Sequence, residues 1–111
     1  MIVSGSSDKG ALNYLKALNN RNILIIENVK EIYKIYRGKK PKLIITGSAF
    51  RKSIDKKLFK FAQKKKILSI SVVEHWTNFK SRFKIENKFY FPDFIFVNDK
   101  MAFNLAIKEG I

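Results

Sequence analysis

Ile67-Leu68-Ser69-Ile70-Ser71-Val72-Val73, followed at once by Glu74-His75-Trp76, is the stretch that decides the fold. It is the longest apolar run of the chain and reads as a central strand. Four shorter runs accompany it: Ile2-Val3-Ser4, Ile23 to Glu27, Leu43 to Thr46 and Phe94 to Val97. Each closes on a small or polar cluster, and amphipathic sequence follows. Strands alternating with helical patterns describe a parallel sheet covered by helices on both faces.

The helical patterns are explicit. Ala11, Leu12, Leu15 and Leu18 recur at helical spacing until Asn19-Asn20 stops them. Asn28 with Glu31 predicts a capping box ahead of Val29, Ile32, Tyr33 and Tyr36, and Gly38 ends that helix. Ile54, Leu58, Phe61 and Ala62 give the third helix its apolar face, and Met101, Ala102, Leu105 and Ala106 the last, with Asp99 as its cap. Trp76, Phe79 and Phe83 are spaced for a short helix or a packed loop. The expected fold is α/β: one three-layer, Rossmann-like domain over residues 1–111, with a five-stranded parallel sheet. The order 3-2-1-4-5 is expected, and 2-1-3-4-5 is the alternative. Such a domain is either complete in itself or the N-terminal half of a two-domain enzyme.

Ligands of such sheets bind beyond the carboxyl ends of the strands. The candidate binding turns are therefore Gly5-Ser6-Ser7, Glu27-Asn28, Gly47-Ser48, Glu74-His75-Trp76 and Asn98-Asp99. Gly5 to Gly10 matches the first and third glycines of a G-x-G-x-x-G dinucleotide turn, but Ser7 replaces the middle glycine and would crowd a pyrophosphate. A structural strand-to-helix turn is the simpler reading, although small residues at a helix start also suit a phosphate or carboxylate. Thr46-Gly47-Ser48 lacks the aspartate that a phosphorelay receiver needs after its third strand. His75 is the lone histidine and there is no cysteine, so no multi-histidine or thiolate metal site is expected, and no cofactor. His75 is either a general acid/base beside Glu74 or a loop histidine bound to backbone.

Composition sets the outer limits. With 111 residues, 46% hydrophobic and 14% aromatic, the chain suits one folded domain. The net charge is +14, yet only Arg21, Arg37, Arg51 and Arg82 are arginine among 23 basic residues. Base readers and bidentate phosphate clamps draw on arginine, so nucleic acid is set aside as a partner. Between Arg51 and Lys66 eight basic residues face one acid, Asp55, which is a solvated outer face or a contact for an anionic membrane surface. The absence of cysteine and of a long apolar stretch fits a cytoplasmic protein.

Ser69-Ile70-Ser71-Val72-Val73-Glu74-His75-Trp76-Thr77-Asn78-Phe79-Lys80-Ser81-Arg82-Phe83, then Phe91-Pro92-Asp93-Phe94-Ile95-Phe96-Val97-Asn98-Asp99, resembles the N-terminal domain of bacterial surface-polysaccharide proteins. Those are similar to GT-B-type glycosyltransferases and to UDP-N-acetylglucosamine 2-epimerase. The resemblance is specific over about 30 residues, and Glu74 stands where aspartate is the more familiar acid. It implies a sugar-transfer or sugar-nucleotide-processing domain, acting on a sugar nucleotide or glycan acceptor, peripheral to the inner membrane. Gly5, Ser6, Gly47, Ser48, Glu74 and His75 would border its cleft, with His75 as the proton-transfer group. The donor would be gripped by a second Rossmann-like domain or subunit. An open strand end rimmed by Gly5, Gly47 and His75 is expected on that reading, and packing of Trp76 and Phe79 across it would argue against. The competing expectation is a non-enzymatic Rossmann-like module that binds a nucleotide or an acidic partner through its lysine-rich face.

Overall fold

The structure is a computed structural model and describes residues 2–5, 9–19, 23–26, 28–36, 41–50 and 53–111. The chain divides into two compact units, Met1–Lys40 and Pro41–Ile111. In the first, β1 (Ile2–Gly5) pairs in parallel with β2 (Ile23–Ile26), Ile2 opposite Ile23 and Gly5 opposite Ile26. Helix α1 (Lys9–Leu18) joins them along the chain and α2 (Val29–Tyr36) follows. Asn19 ends α1 with a left-handed φ of 44° while its N–H donates to the Lys16 carbonyl, the stop expected there. The Asn28 amide donates to the Glu31 carboxylate at 3.1 Å, and the Glu31 N–H donates to the Asn28 carbonyl at 3.3 Å. The two residues expected to form a capping box are thus joined side chain to side chain.

The second unit is α/β with a three-stranded, wholly parallel sheet, ordered β3 (Leu43–Thr46), β4 (Leu68–Val73), β7 (Phe94–Val97). The apolar run that opened the sequence is the middle strand. Direct pairing of β3 with β4 overturns the order 3-2-1-4-5, which separates the third strand from the fourth. A strand returned by a single helix, here α3 (Ile54–Lys65), most readily lands beside the strand it left. The alternative 2-1-3-4-5 contains every pairing found between the five expected strands.

Registered parallel partners point the same way, so the sheet faces can be read directly. Thr46, Ser69, Ser71 and Val73 are buried on the face that also carries Ile95 and Val97. Phe59 from α3 and Ala102 and Ala106 from α4 (Lys100–Lys108) pack there with Val73, Phe79 and Phe83. Both helices therefore cover one face, and its small side chains leave room for them. The hydroxyls on that face have partners: Thr46 and Ser71 both donate to the Gly47 carbonyl, at 2.7 and 3.1 Å. The other face carries Leu43, Ile45, Leu68, Phe94 and Phe96, all exposed, with Ile70 and Val72 half-buried.

Between β4 and β7 the chain makes a 3₁₀ turn at Lys80–Phe83, then a hairpin of β5 (Lys84–Ile85) and β6 (Lys88–Phe89). The turn matches the expected short helix; the hairpin was not expected. Its bend has Glu86 at φ 54°. Phe83 anchors the region, its ring 5.2 Å from Phe59 and 5.6 Å from Phe91, and Phe91 stacks on Phe89 at 5.7 Å. Asp93 ties the start of the last strand to β4: its carboxylate accepts the Ser69 N–H at 2.8 Å, and its N–H donates to the Ser69 carbonyl at 2.9 Å.

Phe83 is fully buried and joins α3, the hairpin and α4. Phe83→Ala should cost about 3–5 kcal/mol, because the cavity cannot collapse between three elements. Urea denaturation measures this; a loss below about 1 kcal/mol would show that the aromatic ladder is not the core of the unit.

Candidate functional site

Three candidate turns gather at one end of the second unit. Gly47-Ser48 follows β3, Glu74-His75-Trp76 follows β4 and Asn98-Asp99 follows β7. All three strands run the same way, which is what brings together residues up to 52 positions apart, Gly47 and Asp99. Gly5 closes β1 in the first unit. Ser6, Ser7 and Glu27 lie outside the described residues.

Glu74 and His75 are exposed, one step past the carboxyl end of the central strand. Among the described residues neither side chain has a hydrogen-bond partner, so the two do not form a pre-assembled dyad. Among the described residues the His75 imidazole has no hydrogen bond to backbone, and it is exposed to solvent.

Trp76 and Asp99 are joined. The Trp76 indole Nε1–H donates to the Asp99 carboxylate at 3.1 and 3.3 Å, and Oδ1 of the same carboxylate accepts the Ala102 N–H at 2.7 Å. Asp99 has the extended backbone of an N-cap, and its carbonyl accepts the Phe103 N–H at 3.0 Å. The cap expected from sequence is present, and it also fixes the edge of the indole while 41% of Trp76 remains exposed. Phe79, by contrast, is fully buried in the core. Of the two aromatics that could close this end, one is packed away and the other leaves a ring facing water.

Two residues organise this end that the sequence did not assign to the site, although Arg82 lies within the stretch that carries the family resemblance. Arg82 is only 5% exposed; its Nε–H donates to the Thr77 carbonyl at 3.2 Å and Nη1 to the Ser48 carbonyl at 3.3 Å. It therefore pins the turn after β3 to the segment after β4. Lys56, from the first turn of α3, donates to the carbonyls of Phe50 at 2.8 Å and Ser81 at 3.0 Å. Burial lowers the Lys56 pKa, and the positive charge of Arg82 lowers it further. Burial likewise lowers that of Arg82, against the opposing pull of Glu109. The available signal was compositional: Arg82 is one of four arginines in a lysine-dominated chain.

Two cavities open elsewhere in this unit. One of about 450 Å³ lies between β7 and α4, lined by Ile95, Val97, Phe103 and Ile107. Another of about 470 Å³ lies at the amino end of β4, beside Gln63, Lys66, Leu68 and Asp93. Neither includes a residue of the three turns. Among the described residues no cluster of three or more His, Asp or Glu is placed to hold a metal ion, and no helix is long and apolar enough to cross a membrane.

Asp99→Ala removes the helix cap and the indole acceptor together. It should cost about 0.5–2 kcal/mol. Trp76 is the one tryptophan, so its emission should move to longer wavelength as the ring is released. An unchanged spectrum would refute the contact. No family model, curated protein or solved structure matches the chain.

Proposed function

We propose that this chain is a sugar-transfer or sugar-nucleotide-processing domain of cell-surface polysaccharide biosynthesis, contributing the acceptor side of the site. The observation that carries the reading is the exposed His75, without a side-chain hydrogen bond among the described residues, beside Glu74 at the end of the central strand between two flanking turns. An acceptor hydroxyl needs a base to take its proton as it attacks the anomeric carbon, and an imidazole is a common proton acceptor in such steps. Glu74 offers a second, solvated carboxylate for hydrogen bonding to a sugar. Trp76, held at its edge by Asp99, presents an amphipathic ring of the kind that suits a ligand platform.

The reading carries with it a single five-stranded parallel sheet in a three-layer, Rossmann-like domain, and a second such domain or subunit to grip the donor. It places the chain in the cytoplasm. The exposed Lys57, Lys64 and Lys66 on and after α3 suit an anionic acceptor.

The lone histidine supplies the test, because it gives a single imidazole C2–H resonance in proton NMR. Surface-polysaccharide oligosaccharides should shift that resonance saturably, with sugar nucleotides alone acting weakly. A His75 signal indifferent to every glycan and sugar nucleotide tried would sink the reading.

A further inference from the structure

We propose that Arg82, Lys56 and the hydroxyls of Ser48 and Ser53 form a binding site for a phosphoryl group, at the loop that carries β3 into α3. The inference goes beyond the sugar-transfer reading and does not require a reaction at His75.

Charge is the first ground. A guanidinium has five N–H donors, and the buried Arg82 uses two of its nitrogens, on the Thr77 and Ser48 carbonyls. The Lys56 ammonium is close enough to Arg82 to feel its charge and is likewise bound only by carbonyls. Among the described residues no carboxylate pairs directly with either cation. Glu109 acts on Arg82 through space, but its carboxylate accepts the Lys80 N–H at 3.1 Å. Asp55 shares the first turn of α3 with Lys56, and burial raises its pKa. Two partly desolvated cations held by neutral oxygens, with only Glu109 acting on Arg82 through space, leave positive charge incompletely compensated, a state that an anion would relieve.

The hydroxyls are the second ground, independent of the first. Ser48 Oγ and Ser53 Oγ are both buried and have no hydrogen-bond partner. Such groups are uncommon in native structures, and each calls for a donor, an acceptor or a role. Ser53 stands at the N-cap of α3, where a serine oxygen ordinarily accepts an N–H of the first turn, and here makes no such bond. Space is available beside the loop, since a Cβ added at Gly47 would meet nothing within 4 Å.

The chemistry that fits is a phosphoryl group. Guanidinium, ammonium and two hydroxyls are all able to donate, and a phosphate presents three or more acceptor oxygens with close to two negative charges. A carboxylate would neutralise one cation and satisfy fewer donors. Water could satisfy the hydroxyls but would leave both charges in place. The phosphoryl group could belong to a nucleoside diphosphate or to a phosphorylated glycan, and the two sources separate experimentally.

Inorganic phosphate, titrated into the ¹⁵N-labelled full chain with chloride holding ionic strength constant, is the probe. The amides of Ser48 and Ser53 and the Nε–H of Arg82 should shift saturably, and the melting temperature should rise. Lys56→Gln should weaken the affinity by about tenfold, as should the double variant Ser48→Ala, Ser53→Ala, whose fold the same melts report. A nucleoside diphosphate or a hexose phosphate binding more tightly than phosphate itself identifies the source. Shifts that chloride reproduces, shifts that never saturate, or an affinity unchanged in both folded variants would overturn the site. Loss of phosphate binding while the His75 resonance still answers glycans would remove this inference alone.

Discussion

The second unit depends on one buried guanidinium. Arg82 binds a carbonyl five residues before it and another 34 residues before it, so a single side chain sets the distance between the turn after β3 and the segment after β4. Lys56 repeats the arrangement from α3, reaching the carbonyls of Phe50 and Ser81. Hydrogen bonds from charged donors are stronger than neutral ones, and burial keeps water from competing for them. Without the two cations the turn after β3 would be held to the segment after β4 only through the sheet and the Ser71–Gly47 hydrogen bond, while Trp76 would keep its bond to Asp99.

Packing explains why those cations come to lie where they do. The face of β3 and β4 beneath the helices carries Thr46, Ser69 and Ser71, and larger apolar residues point the other way. Hydroxyl-bearing side chains cost little there because each finds an acceptor, at Gly47 or Asp93. Their small size lets the Phe59, Phe79 and Phe83 rings fill the space between sheet and helix. The opposite face, with Leu43, Ile45, Phe94 and Phe96, has the composition of a parallel strand built to be covered on both sides.

Legibility in the sequence followed the range of the interactions. The strands β3, β4 and β7, the helices α3 and α4, and the Asp99 cap rest on contacts within a few residues, and period and capping chemistry disclosed them. The hairpin escaped notice because two-residue strands are shorter than any hydrophobic period, and Glu86-Asn87 is not a glycine turn. Strand order depends on which way each crossover turns, and no local pattern in this chain encodes it. At the site, the clustering of Gly47, Ser48, Glu74, His75, Trp76 and Asp99 was readable because parallel strands must gather their following loops. The internal use of Trp76, Asp99 and Arg82 was not, since their bonds span 23 to 34 residues.

The lysine surplus also has a structural reading that composition alone could not give. Lys80 and Lys84 lie 5.3 and 5.6 Å from the Phe89 ring, and Lys60 lies 5.7 Å from that of Tyr90. Each such contact contributes roughly 0.5–1 kcal/mol at exposed sites, and the lysine stems cover aromatic surface that would otherwise face water. Lys56 is drawn inward by carbonyls. Part of the positive charge in this unit is therefore used by its aromatic rings and its loop clamp. What remains outward on and just after α3 is Lys57, about two helical turns before Lys64, and Lys66, two residues beyond it, and their field is screened within about 10 Å at 0.1 M salt. Those exposed ammoniums can offer an anion only a diffuse, salt-screened attraction, whereas the Arg82 guanidinium is fixed by its hydrogen bonds to two carbonyls.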